Sequence, residues 1–192
     1  MRLILGSQSP RRRDIMRYFS LPFEQIPSSF DESSIAFEGN PETYVCTLAR
    51  EKASALHRHA PEAAILTADT IVYRHGKIYG KPRDEEDAIS TLTELSGKWH
   101  SVYTGVALHY QGKKFCQAEE TRVLFNNLTA QQIRDYYTKL DLYDKAGSYQ
   151  LQMAGGLIVS KIDGCYYNVI GLPINSVRAL LQKIGIELWD YL

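Results

Sequence analysis

The sequence predicts an α/β fold: one mixed, twisted sheet with flanking helices, arranged as two lobes around a central cleft. Short apolar stretches of strand length alternate with segments of helical periodicity, which is the pattern of parallel strands joined by helices. Two long alternating strands at 99–110 and 114–125 follow each other directly around Gln111-Gly112, so the sheet also contains antiparallel pairing. The 192 residues carry no repeat or long linker, and we predict a single domain over residues 1–192.

Cap and proline signals place the elements of the N-terminal half. Leu3 to Leu5 form a short apolar run, and Ser9 followed by Pro10 fits a helix N-cap and first helical position. Pro41 opens the longest stretch of helical periodicity. The predicted elements are strands at 3–5, 23–26 and 63–73 (interrupted at 68–70), helices at 10–19 and 41–59, and a loop at 28–40.

Turn and cap signals also place the elements of the C-terminal half. Gly76 marks a hairpin turn, and Gly97 ends a helix that begins after Pro82. Thr129 and Gln132 form a capping box, in which each side chain bonds the backbone N–H of the other. The predicted elements are a short strand at 78–79, helices at 84–95, 129–139 and 173–184, a loop at 141–156, and strands at 157–162 and 166–169.

Composition and charge exclude several classes of function. Hydrophobic residues make up 44% and charged residues 23%, as in an ordinary globular protein. The 22 Lys and Arg balance the 22 Asp and Glu, so we expect neither nucleic acid nor a membrane as a partner. No segment approaches the length of a membrane span. Cys46, Cys116 and Cys165 are far apart without metal-type spacing, which favours a reducing cytoplasm.

The most informative segment is LILGSQSPRRR at 3–13. A strand, a tight turn and a helix start would aim unpaired backbone N–H groups at one spot, with Ser7 beside them, and so favour an anion. Arg11 and Arg12 in a first helical turn are unfavourable unless a strongly negative group binds there, and the guanidinium fork matches phosphate oxygens. The segment predicts a phosphate site; the alternative is an exposed basic turn.

Four further charged side chains are candidates for chemistry. Asp69 interrupts an apolar strand, where an ionised carboxylate is costly unless it is paired or metal-bound; the alternative is a backbone cap at a strand end. Lys81 lies in a Gly-Lys-Pro turn, and its alternative is an exposed turn lysine. Lys52 lies on a mostly apolar helix face, where snorkelling is the usual outcome. Glu32 is a loop acid unless the fold places it near Asp69.

Several common motifs are absent from the sequence. It contains neither a Gly-x-x-x-x-Gly-Lys-Ser/Thr loop nor a Gly-x-Gly-x-x-Gly turn, which argues against nucleotide-motor and dinucleotide folds. It also lacks His-Glu-x-x-His and Cys-x-x-Cys zinc patterns. His100 leads from a turn into a strand, and we predict a structural hydrogen-bonding group rather than a catalyst.

Seven ordered sequence blocks extend along nearly the whole chain. They are LGSQSPRR at 5–12, LAREKA at 48–53, ADTIV at 68–72, GKP at 80–82, SGKWHSVYTG at 96–105, DKAGS at 144–148 and YYNVIGLP at 166–173. Together they resemble the Maf family of nucleoside triphosphate pyrophosphatases. The departures are Gly6 where Ala is usual, Gln150 where a small residue is common, and Cys165 where Ser is frequent. Only Gln150, beside the segment that would read the base, bears on function.

The resemblance implies a fold similar to inosine triphosphate pyrophosphatases and hydrolysis between the α and β phosphates, giving the monophosphate and pyrophosphate. Asp69 resembles the family's proton acceptor, and Glu32 and Asp69 would contact a divalent cation, Mg²⁺ or Mn²⁺, or its waters. Whether Asp69 is base, metal ligand or both stays open. The residues implied to bind the triphosphate are Ser7, Arg11, Arg12, Lys52 and Lys81. We further expect a cytoplasmic homodimer.

Three positions that separate branches of the family point to the substrate. Arg11, Thr70 and Gln152 resemble the branch that acts on dTTP and UTP. A glutamine amide donates and accepts, so Gln152 can pair with the O4 and N3–H edge of thymine or uracil. The alternatives are a pyrophosphatase for 7-methyl-GTP or modified pyrimidine nucleotides, and a nucleotide-binding regulator of septum formation without essential catalysis. Neutral charge opposes direct readout of nucleic acid.

Overall fold

The computed structural model of the chain describes residues 1–139 and 145–192. In these ranges the strands are β1 (Leu3–Gly6), β2 (Glu24–Gln25), β3 (Ala64–Arg74), β4 (Lys77–Tyr79), β5 (Trp99–Tyr110), β6 (Lys113–Phe125) and β7 (Val159–Asp163). The helices are α1 (Pro10–Met16), α2 (Pro41–His57), α3 (Glu85–Leu95), α4 (Ala130–Lys139), α5 (Tyr166–Ile170) and α6 (Ile174–Gln182). Short 3-10 turns lie at Glu32–Ser34, Ala146–Ser148, Met153–Leu157 and Leu188–Tyr191.

The strands form one mixed sheet. Its order is β2-β1-β3-β5-β6-β7, and β4 pairs with β3. β1 is parallel to β2 and to β3, whereas the β3–β4 and β6–β7 pairs are antiparallel. All of β1 and the first six residues of β3 are buried, as expected for parallel strands covered on both faces. The predicted mixed α/β sheet is confirmed.

The chain divides into two compact units. The first consists of residues 1–69, 104–119 and 171–192. Ile4 of β1, Ile65 of β3 and Ala53 of α2 are buried together in its core. Burial of this apolar surface fixes α2 against the parallel strands. The single domain predicted over the whole chain stays a prediction.

A glycine in β5 sets how closely α2 approaches the sheet. A Cβ atom at Gly105 would come within 2.4 Å of the Val45 backbone and 2.7 Å of the Cys46 nitrogen. Real Cβ atoms do not come so close to backbone atoms, so any larger residue would push the helix away. The absence of a side chain at Gly105 therefore lets the first half of α2 lie directly on the strand.

The second unit consists of residues 70–103 and 120–170, as far as the structure describes them. Its core contains an aromatic cluster in which His100, Phe125 and Tyr149 meet edge to face, with ring centroids 4.6 to 5.5 Å apart. His100 Nε2 lies 3.0 Å from the Tyr149 hydroxyl. His100 is thus a buried hydrogen-bonding group of the core, as predicted.

Acid is expected to destabilise the protein through His100. Burial lowers the pKa of His100 from 6.5 to about 4. Below pH 6.5 the unfolded chain takes up a proton that the folded protein does not, so stability falls with pH until the folded pKa is reached. The pKa difference corresponds to a loss of about 3 kcal/mol. Urea unfolding measured at intervals between pH 7 and 4 should show this loss in the wild type and a smaller one in His100→Gln; equal losses would contradict the assignment.

The predicted strand at 166–169 is wrong, because this segment forms α5. The buried Asn168 amide donates to the Val102 carbonyl and to Thr121 Oγ1, both at 3.0 Å. Thr121 Oγ1 also accepts from the Cys165 N–H at 3.0 Å. These tertiary hydrogen bonds hold the segment as a helical turn, although its aromatic and β-branched residues favour a strand.

Other differences from the predicted elements are smaller. β3 runs unbroken through 68–70, because Asp69 is accommodated without leaving the strand. β7 begins at Val159 after a 3-10 turn, and Pro173 is the N-cap of α6 rather than its first residue. The predicted loop at 141–156 lies in part, at 141–144, outside the described residues, and so does the Asp of the DKAGS block. In the described ranges, no helix combines the length and apolarity needed to cross a membrane.

Candidate active site

The loop from β1 to α1 is closed by its own hydroxyl groups. Ser7 Oγ accepts from the Ser9 N–H at 3.1 Å, and Ser9 Oγ accepts from the Arg12 N–H at 3.4 Å as the N-cap of α1. The predicted cap is confirmed, and Pro10 takes the first turn. The expectation of unpaired backbone N–H groups is wrong for Ser9 and Arg12, because serine hydroxyl groups accept their hydrogen bonds.

Arg12 ties the loop to two other segments. Its Nε donates to the Gly171 carbonyl at 2.7 Å, and its Nη1 donates to the Ala68 carbonyl at 2.8 Å and to Ser7 Oγ at 3.3 Å. Burial lowers the pKa of Arg12, and the Asp69 charge opposes the shift. Because Ala68 precedes Asp69, this guanidinium fixes the Ser7 loop beside the carboxylate.

Ser7 is poised to donate. Its hydroxyl is buried and accepts two hydrogen bonds, from the Ser9 N–H and from Arg12 Nη1. With both lone pairs engaged, the hydroxyl has its own proton left to offer a ligand. Such a donor suits an anionic oxygen.

A buried lysine lies between two carboxylates. Lys52 Nζ is 2.5 Å from Asp69 Oδ1 and 2.8 Å from Glu32 Oε1. The Lys52 and Asp69 side chains are 11% and 8% exposed, whereas the Glu32 side chain is 58% exposed. The snorkelling interpretation of Lys52 is therefore wrong. Glu32, which the sequence could place only in a loop, joins Asp69 through their shared lysine.

The register of the sheet explains why Asp69 reaches Lys52. β1 ends at Gly6, opposite Thr67, so Asp69 lies two residues beyond the last paired position on the same face of β3. Thr67 Oγ1 donates to the Ala49 carbonyl at 2.6 Å, which docks that face on α2. Lys52 lies one helical turn after Ala49, and Asp69 lies two residues after Thr67 on the same face of β3. The lysine therefore reaches the Asp69 carboxylate.

The environment of Asp69 suits a base. Burial raises the pKa of Asp69, and the neighbouring Glu32 charge adds to the effect, while Lys52 and Arg12 oppose it. A carboxylate whose pKa is raised binds a proton more readily than an exposed aspartate. Asp69 is thus held in position by Lys52, lies within the field of Arg12, and remains able to accept a proton.

Two residues near the site have no distinguishing sequence signal. Gln25 Nε2 donates to the Ser7 carbonyl at 2.8 Å and to the Ser9 carbonyl at 3.3 Å, and so holds the loop between them. Burial raises the pKa of Tyr44, and the charges of Asp69 and Glu32 contribute, which places its phenol within their field. Both come from polar or aromatic positions that fit many other roles, so the sequence alone could not select them.

The other predicted site residues are Arg11, Thr70, Lys81 and Gln152. Arg11 is half-buried in α1, and its charge lowers the pKa of Arg12. Thr70 follows Asp69 in β3, Lys81 is exposed after β4, and Gln152 is half-buried before a 3-10 turn; all three belong to the second unit. Their substrate-binding roles stay predictions.

Glu32 and Asp69 are two acids that could contact a divalent cation at this site. Among residues 1–139 and 145–192, no group of three or more His, Cys, Asp or Glu is arranged to hold a metal. Mg²⁺, however, usually keeps several waters and takes one or two carboxylates together with substrate phosphates. Two carboxylates that converge on one ammonium group fit that requirement.

Fold and site together define an α/β protein with a buried carboxylate–ammonium pair beside donors suited to an anion. This chain belongs to the Maf family: residues 2–184 match the model described as Maf-like protein. The resemblance found in the sequence blocks is thereby confirmed.

Two relatives agree with this assignment, and one solved structure shares the fold. The dTTP/UTP pyrophosphatase of Chlamydia caviae is 47% identical over 191 residues, 99% of this chain and 97% of that protein. The dTTP/UTP pyrophosphatase of Clostridium perfringens is 42% identical over 191 residues, 98% of this chain and 100% of that protein. The Staphylococcus aureus Ham1 protein superimposes with a TM-score of 0.55 at 13% identity, covering 96% of this chain and 100% of that chain, and so shares its fold.

Proposed function

We propose that this protein hydrolyses dTTP and UTP to the nucleoside monophosphate and pyrophosphate. The observation that carries the proposal is the buried Asp69 carboxylate, held by Lys52 and next to the Ser7–Arg12 loop. A protein that only binds nucleotides has little use for a carboxylate among cations, because it weakens the attraction for a polyanion. Relatives named dTTP/UTP pyrophosphatase, 42 to 47% identical over nearly the full chain, supply the substrate class.

In this mechanism Asp69 takes a proton from the attacking water. The water oxygen bonds to the α-phosphorus, the bond from that phosphorus to the bridging oxygen breaks, and pyrophosphate leaves. Negative charge grows on the phosphate oxygens as this happens. The Ser7 hydroxyl and the Lys52 ammonium group are fixed before substrate arrives, so they stabilise that charge without reorganising. Arg12 holds this geometry and adds positive charge.

A divalent cation would balance the charge of the site. Lys52 is already shared by Glu32 and Asp69, so a triphosphate brought to the same place would meet two carboxylates and one lysine. We infer that Glu32 and Asp69 hold Mg²⁺ or Mn²⁺, directly or through its waters. When bound, the cation neutralises phosphate charge and polarises the scissile group.

Replacing Glu32 with glutamine is expected to weaken Mn²⁺ binding about tenfold or more, because the amide removes one of two anionic ligands. Electron paramagnetic resonance of free Mn²⁺, titrated with protein in the absence of nucleotide, measures the affinity directly. Glu38→Gln is the matched control, since Glu38 is an exposed acid of the same loop. Equal Mn²⁺ affinity in Glu32→Gln and wild type would remove Glu32 from the metal site.

A substrate panel tests the proposed activity. Purified protein with Mg²⁺ or Mn²⁺ is supplied with dTTP, UTP, CTP, modified pyrimidine nucleotides and 7-methyl-GTP, and pyrophosphate and orthophosphate are measured separately. We expect pyrophosphate from dTTP and UTP. With ¹⁸O-labelled water, the label should enter the monophosphate. Orthophosphate as the product, label in pyrophosphate, or no hydrolysis of either nucleotide would overturn the proposal, and preference for 7-methyl-GTP would overturn the substrate assignment.

Gln152 is expected to read the pyrimidine. In Gln152→Ala, kcat/KM for UTP should fall about tenfold or more, because the O4 and N3–H edge loses its partner. The ratio of kcat/KM for UTP to that for CTP should fall with it. Gln117→Ala, an exposed glutamine of β6, serves as the control. An unchanged UTP-to-CTP ratio in Gln152→Ala would place base recognition elsewhere.

Assembly and location belong to the same proposal. We expect a homodimer that acts in the cytoplasm. Sedimentation velocity over a range of protein concentrations tests the dimer. A monomer at all concentrations would contradict it without affecting the proposed chemistry.

A further inference from the structure

Two cysteines distant in sequence lie in contact in the first unit. Cys46 Sγ, in α2, is 2.6 Å from Cys116 Sγ, in β6. Cys116 Sγ also lies 3.7 Å from the Cys46 carbonyl oxygen. Both are free thiols and both are half-buried, so the pair is enclosed yet accessible to a small molecule.

We propose that Cys46 and Cys116 are a reversible oxidation site, which closes to a disulfide when the protein meets a hydroperoxide. Neither cysteine has a part in the hydrolysis proposed above. The thiols lie closer than an ordinary non-bonded contact, and a disulfide needs sulfurs about 2.05 Å apart. The bond can therefore form with little movement of the backbone.

The surroundings assign different roles to the two sulfurs. The hydrogen bond with Cys116 and the charge of Arg50 lower the pKa of Cys46, while burial and Glu42 oppose the shift. The same hydrogen bond and burial raise the pKa of Cys116. The thiolate is the reactive form of cysteine, and Arg50, one helical turn beyond Cys46 in α2, stabilises a thiolate at that position, so Cys46 is the sulfur that meets the oxidant first.

The reaction balances with a hydroperoxide as oxidant. The Cys46 thiolate attacks the peroxide, the O–O bond breaks, and a sulfenic acid forms as hydroxide or alkoxide leaves and takes up the proton that the Cys46 thiol released. The Cys116 sulfur then attacks the Cys46 sulfur, the S–O bond breaks, and water leaves with the Cys116 proton. Two thiols are thereby oxidised by one peroxide, and an external dithiol restores both.

The bond would join α2 to β6 and leave the site geometry in place. Gly105 already lets α2 lie against the sheet at Val45 and Cys46. Lys52 lies further along the same helix, already paired with Asp69. We therefore expect the oxidised protein to keep its hydrolytic activity and to resist unfolding better, because the cross-link constrains the unfolded chain.

Peptide mapping of the full chain tests the pair. Reduced protein is freed of reductant, treated with a small excess of hydrogen peroxide, alkylated and digested. We expect a Cys46–Cys116 cross-linked peptide, loss of two of the three thiols, and recovery of both with dithiothreitol. The unfolding midpoint of the oxidised protein should rise by about 5 °C or more. Three free thiols, a link through Cys165, or an unchanged or lower midpoint would overturn the proposal.

Single variants separate the roles of the sulfurs. Cys165→Ser is the matched control and should cross-link as the wild type does. In Cys116→Ser the sulfenic acid has no partner, so dimedone should label Cys46. In Cys46→Ser, Cys116 should stay unlabelled. Dimedone labelling of Cys116 instead of Cys46 would overturn the assigned order, and failure of Cys165→Ser to cross-link would overturn the pairing.

Discussion

Replacing Asp69 with asparagine is expected to lower kcat for pyrophosphate release by about a thousandfold, because the amide cannot accept the proton of the attacking water. Asparagine has nearly the same shape, so the neighbouring contacts can persist. The measurement is pyrophosphate release from dTTP and UTP at saturating substrate, where loss of a base appears in kcat rather than only in KM.

The same variant should fold at least as stably as the wild type. Lys52 keeps Glu32 as a partner at 2.8 Å, so removing the Asp69 charge does not leave a buried lysine alone. Burial raises the pKa of Asp69, which means that its ionised form is held at a cost in free energy of folding. Asparagine relieves that cost. Low turnover with undiminished stability would indicate that the Asp69 carboxylate serves catalysis rather than folding.

A control and two contradictory outcomes make the test specific. Asp163→Asn changes an aspartate whose side chain is 71% exposed in β7, and it should leave both rate and stability unchanged. Wild-type turnover in Asp69→Asn would remove Asp69 from the mechanism. Loss of turnover together with a large loss of unfolding free energy would make Asp69 structural.

Helical spacing and the apolar strand pattern make part of the site predictable from the sequence. The apolar positions of α2 predict which face packs on the sheet, and Lys52 lies on that face with Val45, Leu48 and Leu56. A lysine on a buried face needs a buried acid, and Asp69 in an apolar strand is the complementary signal. The two patterns are complementary, but neither one identifies the other residue as its partner, and the structure shows the pair. What the sequence leaves undecided is whether the lysine reaches solvent, and the sheet register decides that.

Long-range contacts to backbone atoms account for what the sequence could not show. Gln25 holds the Ser7 loop through carbonyl groups, and Asn168 turns a strand-like segment into α5 through Val102 and Thr121. Every residue has a backbone carbonyl, so the sequence does not indicate which carbonyl will accept a hydrogen bond from a given side chain. The same holds for Arg12, whose charge predicts an anion but whose donors also bind carbonyl oxygens.

Replacing Arg12 with alanine is expected to lower kcat/KM for dTTP at least about a hundredfold, because the Ser7 loop loses its anchor and the substrate loses a cation. The change also removes donors from the Gly171 and Ala68 carbonyls, which now lie 2.7 and 2.8 Å from the guanidinium. Leaving such groups unsatisfied should lower the free energy of unfolding by about 3 kcal/mol. Initial rates and urea unfolding measure the two effects.

Arg12→Lys separates charge from geometry. Lysine keeps the positive charge but cannot bond Gly171, Ala68 and Ser7 with one planar fork, so activity should stay low while part of the stability returns. Arg13→Ala is the matched control: Arg13 follows in the same helix and pairs at 3.2 Å with the exposed Asp14, so its loss should alter neither measurement. Unchanged kinetics in Arg12→Ala would move the phosphate site elsewhere. Full activity in Arg12→Lys would show that catalysis requires only the positive charge. The planar guanidinium of Arg12 would then contribute to folding and not to catalysis.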